Sequence, residues 1–180
     1  LKTDNLAKKQ AIMHQNFFDK TKEAADNGFY LEAIFREYAA IEGRLEVMCG
    51  VLGLPCNKDL DDKKRKDIKI SHRVECLKKI YNANSLYGKG RFDINYFDNL
   101  DEWLKKRNIY VHGLYKNVEK YDGRQNETVE LANEGLELNE IIFIEVKRLR
   151  RWKKAGKLDG ISSLCTTSRC GLRKELEAGK

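Results

Sequence analysis

The chain has 180 residues, 41% hydrophobic and 35% charged, with a formal net charge of +7. That is long enough for one domain with a proper core and too apolar for an intrinsically disordered chain. No apolar run approaches the roughly 18 residues of a membrane span, and a single proline among 180 residues points to an all-α chain.

Hydrophobic periodicity predicts five helices. The first covers about 4–26, with Leu6, Met13, Phe17 and Ala24 on one face and Gly28 closing it. The second covers Tyr30 to Gly53, with a stripe of Leu31, Ile34, Phe35, Tyr38, Leu45, Met48, Cys49 and Leu52, and Pro55 stops it. A charged loop, 54-LPCNKDLDDKKRK-66, follows. The third helix starts near Asp67 or Ser71 and carries Val74, Leu77, Ile80 and Tyr81, before a glycine-punctuated connection over 86–95.

The fourth helix covers about 95–116. Over 117–131, Asp122-Gly123 flanked by alternating residues allows a small β-hairpin, with a plain loop as the simpler reading. The fifth helix runs from about Asn133 to Ala155 on Leu138, Ile141, Ile142, Leu149 and Trp152. Residues 156–180 mix Gly, Ser, Thr and Lys and form at most a short helix over 171–178. The expected architecture is an up-and-down helical bundle over 1–155, followed by a basic, poorly structured C-terminal extension over 156–180.

The charge is unevenly placed. Residues 147–180 hold eleven Lys and Arg against three acids, and the remaining residues hold 24 against 25. The basic end of the fifth helix, 147-KRLRRWKK-154, suits either RNA phosphates or an acidic protein partner. The five cysteines (49, 56, 76, 165 and 170) include no CxxC pair and have no histidine near Cys165 and Cys170. They read as thiols in a reducing cytosol rather than as a zinc site, and no metal or cofactor is expected. The chain begins at Leu1 rather than Met, shows no signal peptide and reads as a trimmed fragment. No Walker loop, GxGxxG, HExxH or GxSxG motif occurs.

One stretch of the fourth helix departs from plain amphipathicity: 103-WLKKRNIYVHGLY-115. On the stripe Leu100, Leu104, Arg107, Val111, Leu114, Val118, Arg107 is the one charged member. An unpaired buried guanidinium costs several kcal/mol, so it must be paired or line a cleft. On the second helix, Glu42 is the one charge on the stripe Leu31, Phe35, Tyr38, Glu42, Leu45, Cys49, Leu52, which predicts a Glu42–Arg107 pair. Asn108 and His112 lie four apart on the flank of Arg107, one above the other.

Arginine binds phosphate bidentately and neutralises a developing oxyanion. Histidine moves protons near neutral pH, and asparagine orients a partner. Together they suit metal-independent cleavage of RNA by its own 2′-hydroxyl. With His14 and His72 in other segments, a base and an acid both require two copies of His112, hence a homodimer paired through this helix. Lys105, Lys106 and Tyr110 interleave lysine with an aromatic ring, a pattern suited to single-stranded RNA. Trp103 reads as a core or dimer contact.

The segment 107-RNIYVH-112, late in a helical bundle, resembles the R-x4-6-H signature of HEPN domains, and the helical layout over about residues 5–155 fits that family. The resemblance implies a dimeric endoribonuclease that leaves a 2′,3′-cyclic phosphate, with Arg107 and His112 catalytic and Asn108 supporting them. It implies a cytoplasmic protein of a toxin–antitoxin or phage-defence type, with RNA as partner. Some toxin members carry a tyrosine two residues after the histidine, which a partner nucleotidyltransferase modifies. Here Leu114 holds that position and Tyr115 follows one later, so Tyr115 is at most a supporting residue and such a partner, or another antitoxin, is weakly implied. Other HEPN proteins lack nuclease activity, and the second reading is a non-catalytic nucleotide-binding or protein-interaction module.

Overall fold

The computed structural model describes residues 16–54, 69–88, 92–116, 125–159 and 161. The chain is an all-α helical bundle, and the described residues form five helices and no strand. They are α1 (16–26), α2 (Tyr30–Leu52), α3 (Ile70–Asn84), α4 (Tyr96–Lys116) and α5 (Gln125–Lys154). None of these helices is long and apolar enough to cross a membrane.

Helix ends are set by backbone chemistry. Gly28 takes φ 81°, which lets its N–H reach Ala25 O at 3.0 Å and the Phe29 N–H reach Ala24 O at 2.7 Å. α2 stops the same way. Gly53 takes φ 68° and the Leu54 N–H donates to Cys49 O at 3.0 Å, with Leu54 fully buried. The stop assigned to Pro55 is therefore made two residues earlier, by a glycine that adopts the left-handed conformation without a Cβ clash.

Two compact units divide the chain. One takes in Leu1–Ala40 and Trp103–Glu137, the other Ile41–Glu102 and Leu138–Lys180. In the first, Ala24, Ile34, Trp103, Leu104, Val111 and Leu131 belong to the core. The Trp103 indole donates to Leu131 O at 2.9 Å, and the Tyr110 hydroxyl is hydrogen-bonded to the Thr128 hydroxyl.

These two contacts explain a correction. Residues 125–131, expected in a hairpin or loop, are the first two turns of α5, which begins eight residues earlier than Asn133. Thr128, Leu131 and Ala132 are buried at helical spacing, held by Tyr110 and Trp103. In the sequence the same residues pass for strand-like alternation. Residues 117–124, the rest of the expected hairpin, lie outside the described residues, as do 4–15 of the expected first helix and the expected short helix over 171–178.

In the second unit an aromatic cluster of Tyr81, Tyr87, Phe92, Tyr96 and Phe97 forms the core, with Phe92 and Tyr96 stacked at 4.4 Å. The Tyr96 hydroxyl donates to Leu138 O at 3.0 Å, and burial drives its pKa far above the usual tyrosine range. Arg44, buried, donates to Asn139 O at 2.8 Å and lies 4.8 Å from the Phe143 ring. Burial pulls its guanidinium down to about 10. Cys49 and Cys76 are buried, whereas Cys56, Cys165 and Cys170 lie outside the described residues. Of the expected extension over 156–180, residues 156–159 and 161 are described, and Leu158 and Ile161 are buried.

Candidate functional site

Arg107 projects from α4 onto two rings of α2. Its guanidinium carbon lies 4.3 Å from the Tyr38 ring centroid and 5.3 Å from that of Phe35. Both distances are within cation–π range. One terminal nitrogen donates to Asn108 Oδ1 at 3.0 Å, and the buried Nε has no hydrogen-bond partner among the described residues. The arginine is half-buried. Two rings and a neutral amide bring no negative charge to the guanidinium, which leaves N–H groups for an anion.

The expected Glu42–Arg107 pair is not what the two residues make. Glu42 lies 3.6 Å from the Arg73 guanidinium, which also stands 3.9 Å from Glu46. The buried face of α2 carries Ala33, Ile34, Glu37, Ile41, Arg44, Leu45 and Met48. Of the expected stripe, Leu45, Cys49 and Leu52 are buried, whereas Leu31, Phe35, Tyr38 and Glu42 in its first half are rotated by about one residue from the buried face. Phe35 and Tyr38 flank the core and supply the rings that meet Arg107, and Glu42 stays part-exposed.

Asn108 and His112 are both exposed on α4. Helical geometry separates Arg107 from His112 by about 140° around the axis and about 7.5 Å along it. Lys105 and Lys106 are exposed, and the Lys106 ammonium sits 3.1 and 3.3 Å from the two oxygens of Glu134. Tyr110, expected at an RNA-facing surface, is only 6% exposed, and its hydroxyl is engaged by Thr128. Tyr115 belongs to α4, but its side chain lies outside the described residues, as does that of Leu114. Among the described residues no three His, Cys, Asp or Glu side chains gather where a metal ion would be held.

The residue that sequence reasoning missed is Glu37. It is fully buried, and neither carboxyl oxygen has a hydrogen-bond partner among the described residues. Burial pushes its pKa up to about 9, so the group is protonated at neutral pH. It packs in the first unit against Gly135 and Trp103. A Cβ added at Gly135 would stand 2.0 Å from Glu37 Oε2 and 2.8 Å from the indole of Trp103. The available signal was the spacing Ile34, Glu37, Ile41 on α2, which puts an acid between two isoleucines of one face.

The basic run at the end of α5 is also partly absorbed by structure. Arg148 is bound to Glu145 at 2.6 Å and lies 4.4 Å from the Trp152 ring, while the Lys147 ammonium lies 3.9 Å from that of Phe143. Comparison with family models, with curated proteins and with solved structures finds no match to this chain.

Proposed function

We propose that the chain is a HEPN-like, metal-independent endoribonuclease that acts on single-stranded RNA as a homodimer paired through α4. The observation that carries this reading is Arg107, oriented by Tyr38, Phe35 and Asn108 on the same helix that exposes His112. In the proposed mechanism one His112 takes the proton of the 2′-hydroxyl and the His112 of the second copy protonates the leaving 5′-oxygen. Arg107 stabilises the charge on the pentacovalent phosphate, and Asn108 orients it. With one His112 per chain, this mechanism takes its base from one copy and its acid from the other. The proposed setting is a cytoplasmic toxin or defence system, with RNA as substrate and an antitoxin or nucleotidyltransferase as a neighbour.

A second reading, a non-catalytic nucleotide- or protein-binding module, is favoured by the two rings that engage Arg107 and by the solvent position of His112. Incubation with mixed single-stranded RNA in EDTA, beside His112→Ala, separates the two. Fragments ending in 2′,3′-cyclic phosphate from the wild type, and none from the variant, support the nuclease. No cleavage by an intact dimer leaves the binding module, and equal cleavage by both proteins removes His112 from the mechanism.

A further inference from the structure

The run 147-KRLRRWKK-154 at the end of α5 carries six cations, and the second unit uses them unequally. Arg148 is held by Glu145, and the Lys153 ammonium donates to Gly50 O at 3.4 Å. Arg150, Arg151 and Lys154 are exposed and have neither a hydrogen bond nor an ion pair among the described residues. Lys147 is exposed too, and the Phe143 ring beside it leaves its charge intact. At about 100° per residue these four share an arc of about 100°, on the side of α5 away from buried Leu138, Ile142 and Leu149. They extend along about 10 Å of helix axis. Glu140, the nearest acid of α5 on that face, stands about 10 Å of axis before Lys147. Past the helix end, Lys157 and Asp159 offset each other in charge.

We infer that this face of α5 binds the phosphate backbone of a nucleic acid. The helix dipole favours cations in the last turn, which accounts for Arg151 and Lys154 but not for Lys147 and Arg150. Lys147 with Arg151, and Arg150 with Lys154, are like-charge pairs four residues apart, an arrangement that weakens a helix. An anion laid along the face turns that repulsion into attraction. A length of about 10 Å covers roughly three phosphates at the axial spacing of one strand. The two arginines add forked donors that fit phosphate oxygens. Charge also decides against other occupants. Every exposed residue of 147–154 is a cation, and Phe143 and Ile144 precede the face rather than interrupt it. A protein partner would seek an apolar centre there, and a lipid surface an apolar edge to bury. This inference does not rest on the nuclease reading, because these four residues belong to the second unit and Arg107, Asn108 and His112 to the first.

The test is fluorescence anisotropy of the full chain with labelled single-stranded DNA and 2′-O-methyl RNA, titrated at several salt concentrations. Neither probe has the free 2′-hydroxyl that the proposed cleavage needs, so a failed binding face and a failed nuclease are told apart. One variant is Arg150→Gln/Arg151→Gln/Lys154→Gln and the other places Glu at the same three exposed positions, with circular dichroism to confirm folding. Should the Glu variant fail to fold, the Gln variant decides. Both probes are expected to bind alike, since phosphates rather than bases or sugars are contacted. Neutralising three cations is expected to weaken binding at least about tenfold and to reduce the slope of log affinity against log salt by about 2. Affinity and salt slope unchanged in both variants overturn the inference. Equal competition by a poly-glutamate peptide overturns it as well, assigning the face to an acidic protein, and so does capture by anionic vesicles without binding of either probe.

Discussion

Glu37 and Glu145 are both buried glutamates, one in each compact unit, and their surroundings differ in kind. Glu145 accepts from Tyr81 and from Arg148, whose guanidinium also reaches the backbone carbonyl of Leu86 and rests on Trp152. Burial, and then the charge of Glu145, raise the Tyr81 hydroxyl well above its ordinary value. Every part of that network has an opposite number, so each buried polar group in it is hydrogen-bonded. Glu37 has no partner for either oxygen, and it resolves the same problem by keeping its proton. A paired buried charge ties α3 and α5 together within its unit. An unpaired one lowers stability, and such groups gather where structure serves something other than stability. Arg107, Asn108 and His112 all belong to the unit that contains Glu37.

The largest effect is expected at the satisfied site. Glu145→Ala leaves the Arg148 guanidinium part-buried without its carboxylate and should cost about 3–5 kcal/mol in guanidinium unfolding. A loss below about 1 kcal/mol would mean that the arginine relaxes into solvent and that the network contributes little.

Next comes Gly135→Ala. In a helix interior this change ordinarily stabilises by about 1 kcal/mol. Here the new methyl meets Glu37 and Trp103, so a loss of about 1–3 kcal/mol is expected. A gain in the same unfolding experiment would place the α2 and α5 backbones of this unit farther apart than described.

The third prediction concerns pH. The folded-state pKa of Glu37, about 9, lies above its ordinary value of 4.5. The folded state therefore holds the proton more tightly. Its stabilising effect is fully present below pH 4.5 and is lost as pH rises toward 9, with a slope approaching about 1.4 kcal/mol per pH unit. Urea midpoints measured across that window should fall for the wild type and stay flatter for Glu37→Gln. Parallel curves would show that the carboxyl reaches water or an unseen partner.

The smallest effect belongs to Lys106→Met. The pair with Glu134 is exposed on both sides, so a change of about 0.2–1 kcal/mol, vanishing in high salt, is the expected reading of a thermal scan.

Much of the fold was legible in the sequence. Helix two was expected over Tyr30 to Gly53 and runs Tyr30–Leu52, and helix four was expected over 95–116 and runs Tyr96–Lys116. Val74, Leu77, Ile80 and Tyr81 on α3 are all buried, as are Leu138, Ile141, Ile142 and Leu149 on α5. Apolar spacing carries that information because burial of one helix face is a local pattern. The candidate site was legible in part. Arg107 was recognised as an odd member of its stripe, but Glu42 was chosen as its partner where rings take that place. A phase error of about 100° on α2 is enough to exchange Glu42 for Glu37 as the buried acid, and flanking aromatics fit either phase.

By itself, then, the order of residues determined an all-α chain, the course of α2, α3 and α4, and an arginine, asparagine and histidine on the last of these. Only tertiary packing decided that α5 begins at Gln125, because Tyr110 and Trp103 bind the Thr128 and Leu131 that make its first turns. Packing also decided which glutamate loses water. Gly135 has no side chain to hold α2 away, so the carboxyl of Glu37 closes against a bare helix backbone. The separation in sequence between those two positions hides the contact, since local periodicity reports which face is apolar but not what stands opposite it.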